Sequence, residues 1–480
     1  MCGIVGVSDN RNAAQLAYLG LFALQHRGQE AAGIVAADGT RLTGRTALGL
    51  VAEAFPESIL KSLKGRSAVG HVRYATSGDG DLKNAQPLIF DNVHGPIAIA
   101  HNGTLTNALS LRRKLEKRGA IFRTSTDSEV IVHLIARHAG PVEDAVIDAL
   151  RQVEGAYSVL FSTPTKIIAA RDPRGFRPLV LGRLNRSYVF ASETTALHQI
   201  GARFIREIEP GEIAIVENGH LKTLKPYKPA QASKCVFEQV YFARPDSVQF
   251  GKPVQEARRA LGRELAKELA DKVEADLVVP VPDSGVPAAL GFAQESGTRL
   301  EMGFVRSHYI GRTFIQPAQV LRDNAVKLKL SPVRELLKGK RIILIDDSIV
   351  RGTTSRRICS MLRDIGVKEI HMAISSPPII SPCYYGIDTP SKSELIAATR
   401  PLDGVRRFLG VDSLHYLSVD GLLRAVGGEE KKPSFCTACF TGDYPTPIVD
   451  FTIGQSSRKG DFSPAINGAK PEPKPKTVKR

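Results

Sequence analysis

The hydrophobic pattern of this 480-residue chain changes near its middle, and this change is the strongest constraint on its fold. In the first half, short apolar runs at residues 97–100 and 188–190 alternate with turns, and helical patterns lie near residues 12–24 and 127–138. This mixture predicts an antiparallel α+β domain. Residues 222–234, which are rich in Lys, Pro and Ala, predict a linker.

The second half follows a different pattern. Apolar residues recur at helical spacing from Val254 to Leu269, which predicts an amphipathic helix. Apolar runs typical of buried strands follow at residues 277–281, 341–345 and 372–374. Because strands that alternate with helices usually form a parallel sheet, we expect an α/β domain here.

The length of the chain predicts more than one hydrophobic core, so we expect two domains. The change of pattern places them at residues 2–228 and 229–454. Residues 455–480 are rich in Lys and Pro, and we expect them to form a disordered basic tail.

Composition excludes several classes of protein. The sequence has no apolar run of about 18 residues and no basic, apolar leader, so we expect no membrane span, no secretory signal and a cytoplasmic location. The formal net charge of +16 invites a nucleic-acid partner. However, seven Lys and Arg against two acidic residues lie in residues 454–480, and the remaining surplus is spread out. We therefore expect phosphorylated small molecules, and not nucleic acid, as partners.

Cys2 is the first candidate for chemistry. Removal of Met1, which we expect because Cys is small, would give Cys2 a free α-amino group. That amine has an ordinary pKa of about 8 and the thiol one of about 8.5, so the amine can serve as the base for its own thiol. The alternative is a small buried residue that opens a β-strand.

Four further polar segments would suit an amino-acid substrate. The guanidinium groups of Arg27 and Arg73 can pair with a carboxylate, and the carboxylate of Asp127 with an ammonium group. The amide of Asn102 and the N–H of Gly103 can stabilise an oxyanion. Alternatively, Asp127 caps a helix and Asn102-Gly103 forms an ordinary turn.

These segments occur in a familiar order: Cys-Gly-Ile-Val-Gly, Gln-His-Arg-Gly-Gln, His-Val-Arg-Tyr-Ala-Thr, His-Asn-Gly and Thr-Asp-Ser-Glu. Residues 2–225 resemble the glutaminase domain of the N-terminal-nucleophile amidotransferases. The resemblance implies an αββα sandwich that hydrolyses glutamine to glutamate and ammonia through a thioester on Cys2.

The same resemblance implies a role for each residue. Arg73 would bind the α-carboxylate of glutamine, Asp127 its α-amino group, and Arg27 would support the site. Asn102 and Gly103 would stabilise the oxyanion. Gly28 is expected to be a turn residue only.

An acidic pair follows a predicted strand in the second half. Asp346 and Asp347 end the apolar run, and a loop of small hydroxylated residues then leads into a helix near Thr354. A helix N-terminus binds anions, and carboxylates at the end of a strand bind Mg²⁺ or ribose hydroxyls. The alternative is a solvated acidic turn before a capped helix.

This segment resembles the phosphoribosyl-pyrophosphate (PRPP) motif of type I phosphoribosyltransferases. The resemblance implies a pyrophosphate loop at residues 279–285 and a loop at residues 306–316 that closes over PRPP. The implied PRPP-binding residues are Asp346, Asp347, Ser348, Arg351, Gly352, Thr353 and Thr354. The implied Mg²⁺ ligands are Ser284, Asp346 and Asp347.

A glutaminase domain followed by a PRPP-binding domain resembles the glutamine-dependent PRPP amidotransferases, which act in purine synthesis. The resemblance implies that ammonia passes through an internal channel to C1 of PRPP and yields 5-phosphoribosylamine and pyrophosphate. It also implies homotetramers or homodimers and feedback inhibition by purine nucleotides.

Two other functions compete with this interpretation. A glutaminase with another acceptor, as in hexosamine synthesis, does not explain Asp346 and Asp347. A PRPP-sensing regulator without catalysis does not explain why Cys2, Arg73, Asn102 and Asp127 occur together. The sequence also offers no DNA-binding helix pair.

Four of the six cysteines form a possible metal site. Cys436 and Cys439 form a CxxC motif, and Cys235 and Cys383 add two more thiols. Four thiolates suit zinc or an iron–sulfur cluster, and their spacing does not distinguish the two. One branch of the amidotransferase family carries a [4Fe–4S] cluster in such contexts, so the resemblance favours a structural cluster. Cys359 is expected to be a small buried residue in a helix.

Overall fold

A computed structural model describes residues 1–74, 81–228, 230–270, 272–307, 330–427 and 434–450. Its N-terminal part contains two antiparallel sheets. The first has the order β11-β9-β10-β1-β4-β2-β3 and consists of β1 (Gly3–Val7), β2 (Ala31–Ala37), β3 (Leu42–Leu48), β4 (Ser67–Arg73), β9 (Val180–Leu184), β10 (Ser187–Ala191) and β11 (Arg203–Glu207). The second has the order β13-β12-β8-β7-β6-β5 and consists of β5 (Leu88–Asn92), β6 (Gly95–Leu105), β7 (Gly155–Ser162), β8 (Lys166–Arg171), β12 (Ile213–Glu217) and β13 (His220–Leu224).

The two sheets share a buried apolar layer, to which β1 contributes Ile4 and β7 contributes Leu160. Helices cover the outer faces. The described helices of this part are α1 (Ala13–Ala23), α2 (Val51–Ala54), α3 (Glu57–Ser62), α4 (Ala108–Glu116), α5 (Ser128–Ile135), α6 (Val142–Leu150) and α7 (Thr194–Gln199). Helix α1 packs with the first sheet in one apolar cluster, and α4, α5 and α6 pack with the second sheet in another. This arrangement is the αββα sandwich that the sequence predicts.

The C-terminal part is built on the parallel sheet β17-β20-β21-β22. Its strands are β17 (Leu277–Pro280), β20 (Arg341–Asp346), β21 (Glu369–Ile374) and β22 (Ser413–Tyr416). The described helices are α8 (Val254–Leu269), α9 (Val286–Ser296), α10 (Arg334–Leu337), α11 (Thr353–Asp364), α12 (Ile396–Thr399), α13 (Leu402–Leu409), α14 (Val419–Val426) and α15 (Ala438–Thr441). The α/β fold is confirmed, and β22 is a fourth strand that the sequence pattern did not indicate.

Three two-stranded ribbons complete the described strands. They are β14 (Lys234–Cys235) with β23 (Phe435–Cys436), β15 (Val248–Gln249) with β16 (Lys252–Pro253), and β18 (Phe304–Arg306) with β19 (Leu330–Pro332). Only the first ribbon is parallel, and it joins the start of the second half to the end of the described chain.

Two local predictions are wrong. The stretch 222–234 is not wholly a linker, because β13 pairs with β12 as far as Leu224. Asn102 and Gly103 do not form the turn of the alternative interpretation, because both lie within β6, which pairs with β7 through Leu105.

Some predictions fall outside the described residues. They concern the disordered tail at 455–480 and most of the PRPP loop at 306–316. The domain boundary at 228 and 229 stays a prediction. None of the helices in the described part of the chain combines the length and apolar character that a membrane span requires.

Candidate active sites and thiol site

Cys2 lies directly before β1 and is 8% exposed. Its thiol donates to the carbonyl oxygen of Tyr74 at 3.7 Å, and its backbone N–H donates to Oδ1 of Asn102 at 3.3 Å. A small cavity opens beside the thiol. Its lining residues are Cys2, Arg73, Tyr74, Gln86, His101, Gly103, Thr126, Asp127 and Ser128. The fold therefore brings together predicted residues that lie more than 100 positions apart in the sequence.

Asn102 has its side chain wholly buried beside Cys2. Its Oδ1 atom accepts from Cys2, whereas its Nδ2 atom has no hydrogen-bond partner among the described residues. A buried amide N–H without a partner is costly, so it is a ready donor for an oxygen that becomes negative next to the thiol.

Gly103 follows Asn102 in β6 and lies very close to β7. A Cβ atom at this position would be 2.0 Å from the carbonyl oxygen of Ala156 and 2.9 Å from Nε2 of His101. Only glycine therefore fits this close approach, and the turn expected as the alternative for Asn102-Gly103 is absent because both residues lie within a paired strand.

Asp127 immediately precedes α5, but its carboxylate does not cap that helix. Its Oδ2 atom accepts from the backbone N–H of Leu105 at 2.9 Å, and its Oδ1 atom lies 3.7 Å from Nδ1 of His101. Burial alone would lower the pKa of His101, but the Asp127 carboxylate raises it above its usual value. The carboxylate therefore faces the cavity and not the helix end.

Arg27, which the resemblance assigns to glutamine binding and support of the site, is not among the residues that line this cavity, and its role stays a prediction. Its guanidinium is wholly buried, and it donates to Glu193 at 2.5 Å and to Glu238 at 2.7 Å. Although burial opposes the charge, these two carboxylates raise the pKa of Arg27. Because both partners lie far away in the sequence, the local motif does not reveal that the guanidinium is already paired.

Arg73 lines the cavity at the end of β4 and is 3% exposed. Gly28 packs against its backbone: a Cβ atom on Gly28 would be 2.5 Å from the carbonyl carbon of Arg73. Gly28 is therefore more than a turn residue, because any side chain there would displace Arg73.

Several residues of the cavity have no role in the sequence-based prediction. Gln86 accepts from the backbone N–H of His101 at 2.8 Å and donates to the hydroxyl of Ser128 at 3.1 Å, which ties β6 to α5. His101, Thr126 and Ser128 lie inside the recognised motifs, so proximity to them is a usable signal. Gln86 lies in no recognised motif, and only the folded structure reveals it.

The second site lies at the carboxyl end of β20. Asp346 and Asp347 are buried, at 8% and 6% exposed, and Oδ1 of Asp346 accepts from the backbone N–H of Asp347 at 2.9 Å. The Ser348 hydroxyl donates to Asp347 at 2.5 Å. The pair is therefore oriented within the fold and is not the solvated acidic turn of the alternative interpretation.

The electrostatics of this pair favour a cation. Burial, followed by the charge of Asp347, raises the pKa of Asp346 well above its usual value. Burial also raises the pKa of Asp347, against hydrogen bonds from Ser284 and Ser348. Ser284 thus contacts the acidic pair, so the three predicted Mg²⁺ ligands lie together. Hydroxyl and carboxylate oxygens are ligands that Mg²⁺ accepts.

The loop after the acidic pair ends at Gly352, whose φ of +73° is left-handed. Helix α11 then begins with Thr353 and Thr354, which are exposed, and its first turn holds no acidic residue. Arg351 is exposed and pairs with Glu394 at 2.9 Å. This helix N-terminus is therefore open to an anion.

The four predicted thiol ligands approach one another. Cys235 stands opposite Cys436 in the β14–β23 ribbon, and the Cys383 sulfur accepts from the backbone N–H of Tyr385 at 3.3 Å. Burial, followed by the charges of Cys383, Cys436 and Cys235, raises the pKa of Cys439 well above its usual value. Cys359 lies apart, buried in α11 as predicted.

Within the described ranges, no group of three or more His, Cys, Asp or Glu side chains is arranged to hold a metal ion. Burial raises the pKa of Cys235 to about 11, although the charge of Arg177 opposes this change. The chemistry of the donors fits a thiophilic centre, since the set consists of four sulfur atoms, of which that of Cys235 is in a buried residue and the others are in half-buried residues.

Comparisons with known proteins agree with this two-part arrangement. Residues 71–199 match the family model of a glutamine amidotransferase domain, and residues 254–377 match that of a phosphoribosyl transferase domain. The chain is 50% identical over 464 residues to amidophosphoribosyltransferase 1, chloroplastic, of Arabidopsis thaliana, which covers 96% of this chain and 81% of the relative. It is 48% identical over 456 residues to the amidophosphoribosyltransferase of Bacillus subtilis, which covers 94% of this chain and 95% of the relative.

A solved structure is also similar. The glutamine PRPP amidotransferase of B. subtilis, complexed with ADP and GMP, superposes with a TM-score of 0.89 at 46% identity and covers 96% of this chain and 100% of that one. The similarity extends over both halves of the molecule and includes both candidate active sites.

Proposed function

Because this chain belongs to the amidophosphoribosyltransferase family, we propose that its two sites carry out the two halves of one glutamine-dependent reaction. Glutamine is hydrolysed at Cys2, and the ammonia passes inside the protein to C1 of PRPP. The products are glutamate, 5-phosphoribosylamine and pyrophosphate. The observation that carries this proposal is the Asn102 amide, which binds the Cys2 backbone through Oδ1 and keeps a buried, unpartnered Nδ2 beside the thiol.

The glutaminase half begins when Met1 is removed and the Cys2 amine becomes free. The amine takes the thiol proton, and the sulfur attacks the side-chain carbonyl carbon of glutamine. The oxyanion that forms accepts from Nδ2 of Asn102 and from the N–H of Gly103. The amine then gives its proton to the side-chain nitrogen of glutamine, which leaves as ammonia. Water cleaves the resulting thioester and releases glutamate.

Recognition of glutamine is assigned to Arg73 and Asp127. The guanidinium pairs with the α-carboxylate, and the carboxylate of Asp127 pairs with the α-ammonium group. Both side chains lie in the cavity wall beside Cys2. Arg27 is assigned a positioning role, since its guanidinium already donates through Nε to Glu193 and through Nη2 to Glu238.

The transferase half is assigned to the end of β20 and the start of α11. Ser348, Thr353 and Thr354 offer hydroxyls, and the helix N-terminus offers N–H groups, to the 5-phosphate of PRPP. Asp346 and Asp347 accept from the ribose hydroxyls. Ser284, Asp346 and Asp347 would hold Mg²⁺, which neutralises pyrophosphate charge when it is bound. Ammonia displaces pyrophosphate from C1 with inversion.

The thiol site is assigned to a [4Fe–4S] cluster held by Cys235, Cys383, Cys436 and Cys439. Its role would be structural, because these residues join β14, the loop after β21 and the end of the described chain. The purified protein should contain iron and sulfide and absorb in the blue visible region. Zinc without iron would contradict this assignment.

Purine nucleotides are proposed as feedback inhibitors, since the B. subtilis structure is named as a complex with ADP and GMP. A homotetramer or homodimer, absence of nucleic-acid binding and a cytoplasmic location remain predictions from the sequence.

The decisive experiment compares glutamine and ammonia as nitrogen donors with PRPP and Mg²⁺. Cys2→Ala should abolish product formation from glutamine and preserve it from ammonia, because only the first donor needs the thiol. Cys359→Ala is the matched control, since it removes a buried thiol from α11 that is assigned no role in either half of the reaction. Equal loss of both activities in Cys2→Ala would contradict the two-site proposal.

A further inference from the structure

Arg177 makes a buried connection between the two halves of the molecule. Its side chain is wholly buried. Nε donates to the carbonyl oxygen of Tyr385 at 2.9 Å, and Nη1 donates to Glu238 at 3.4 Å. Nη2 is buried and has no hydrogen-bond partner among the described residues. An unpartnered guanidinium N–H in such a place is costly unless a negative group lies nearby.

The thiol site lies next to this guanidinium. Tyr385, which accepts from Arg177, donates its own N–H to the Cys383 sulfur at 3.3 Å. Phe176, the residue before Arg177, accepts from the Cys235 N–H at 3.0 Å, and its ring stacks on Tyr385 at 4.2 Å. Arg177 is thus held between the backbone segments that carry two of the four thiols.

Strand β6, which carries Gly103, lies on the other side of the loop that contains Cys383, Tyr385 and Gly386. A Cβ atom on Gly386 would be 3.1 Å from Cα of Gly103 and 3.2 Å from Nη2 of Arg177. The loop that carries Cys383 therefore packs directly on Gly103. Glu238 accepts from both Arg177 and Arg27. Because Arg27 directly precedes Gly28, this charge network extends to the glycine that packs against Arg73.

We infer that Arg177 is a positioning residue that couples the thiol site to the glutaminase site. This inference rests on the proposed function. When a cluster is bound, the fixed positive charge would offset the negative charge of the four thiolates. The bond to Tyr385 holds the Cys383 loop against Gly103. A displacement of about 1 Å in a catalytic group costs roughly 100-fold in rate, so this contact determines how well the oxyanion is stabilised.

Arg177→Met removes both the charge and the bond to Tyr385, because methionine keeps an unbranched stem but has no guanidinium. Gly386→Ala disturbs the loop contact without altering any charge, because its Cβ atom would meet Gly103 and Arg177 and the left-handed φ of +109° strains the loop backbone. Arg171→Lys is the matched control, since Arg171 is another buried arginine whose guanidinium bonds Ile208 and Gly175 instead of the thiol loop. All variants are made in the full chain, and the rates with glutamine and with ammonia are measured together with iron content and reduction potential.

Arg177→Met and Gly386→Ala should each lower the glutamine-dependent rate by about tenfold or more, with the ammonia-dependent rate within about twofold of the wild type. Arg177→Met should also shift the cluster to a more negative potential, because a lost cation disfavours the added electron. Arg171→Lys should preserve the ratio of the two rates and the potential.

Two outcomes would overturn the inference: equal loss of both rates in Arg177→Met, or an unchanged ratio in both Arg177→Met and Gly386→Ala. An unchanged potential in an iron-loaded Arg177→Met protein would remove the role of its charge. If the wild type holds no iron, the cluster assignment fails, and the ratio of the two rates still decides whether Arg177 positions the glutaminase site.

Discussion

The Oδ1 atom of Asn102 accepts a hydrogen bond from the backbone N–H of Cys2 at 3.3 Å. One side chain thus holds the candidate nucleophile and, through its other amide atom, offers a buried N–H to the oxygen that the nucleophile will charge. The amide is fixed before any substrate arrives, because β6 carries it within a paired strand. Such preorganisation is what makes a donor effective in the transition state.

Asn102→Ala removes this donor. We expect the glutamine-dependent kcat to fall by about 100- to 1000-fold, with a smaller change in KM, because the oxyanion forms only during the reaction. The ammonia-dependent rate should stay near that of the wild type. Steady-state kinetics with both donors measure this difference. Asn107→Ala, at a partly exposed asparagine before α4, is the control and should preserve both rates.

Gly28→Ala tests the contact with Arg73. A Cβ atom 2.5 Å from the Arg73 carbonyl carbon cannot be accommodated without moving that backbone. We therefore expect the KM for glutamine to rise by about tenfold or more, since Arg73 is assigned to the α-carboxylate. Gly404→Ala is a suitable control, because its Cβ would meet only ordinary contacts at 3.4 Å and beyond. An unaltered KM in Gly28→Ala would contradict the role of Arg73.

Local sequence predicts much of the fold and site, because several chemical groups lie in short motifs. The helix from Val254 to Leu269 follows directly from its apolar spacing, and the acidic pair follows from the strand that ends in it. The hydrogen bonds and the burial pattern of a helix or strand are set by residues close together in the sequence. The apolar pattern therefore predicts these two elements correctly.

Long-range pairing accounts for what the sequence does not predict. The guanidinium of Arg27 binds carboxylates 166 and 211 positions away, so its motif alone does not predict these partners. Gln86 joins the site for a similar reason, since its amide bridges two elements that only the fold brings together.

Asp346→Asn tests the buried acidic pair through pH. Burial raises the pKa of Asp346 above its usual value of 3.8, so the folded state binds this proton more tightly than the unfolded state does. The group therefore stabilises fully below its usual pKa, and this contribution falls as pH rises through the raised pKa. At neutral pH and without Mg²⁺, Asp346→Asn should melt at a higher temperature than the wild type. The difference between the two melting temperatures should shrink in acid.

The same variant should lose activity with both nitrogen donors by roughly 100-fold, because it lacks a group assigned to PRPP and Mg²⁺. Added Mg²⁺ should stabilise the wild type more than Asp346→Asn. Asp403→Asn is the control of opposite sign: Arg406 holds the pKa of this exposed carboxyl below its usual value, so its replacement should not raise the melting temperature. A lower melting temperature for Asp346→Asn at neutral pH would refute this cost of keeping the buried Asp346 ionised.

Glu238→Gln tests the charge network that joins the two halves. Glu238 is wholly buried and binds the guanidinium groups of Arg27 and Arg177. Removal of one partner leaves buried positive charge uncompensated, which typically costs about 3–5 kcal/mol of unfolding free energy. We expect a lower urea midpoint, and, because Arg27 adjoins Gly28, the glutamine-dependent rate should fall more than the ammonia-dependent one.

Glu256→Gln breaks an exposed pair with Arg263 and should change stability by no more than about 1 kcal/mol. If both variants unfold at the same urea concentration, the buried network contributes no more than a surface ion pair, and Arg27 is held by packing alone.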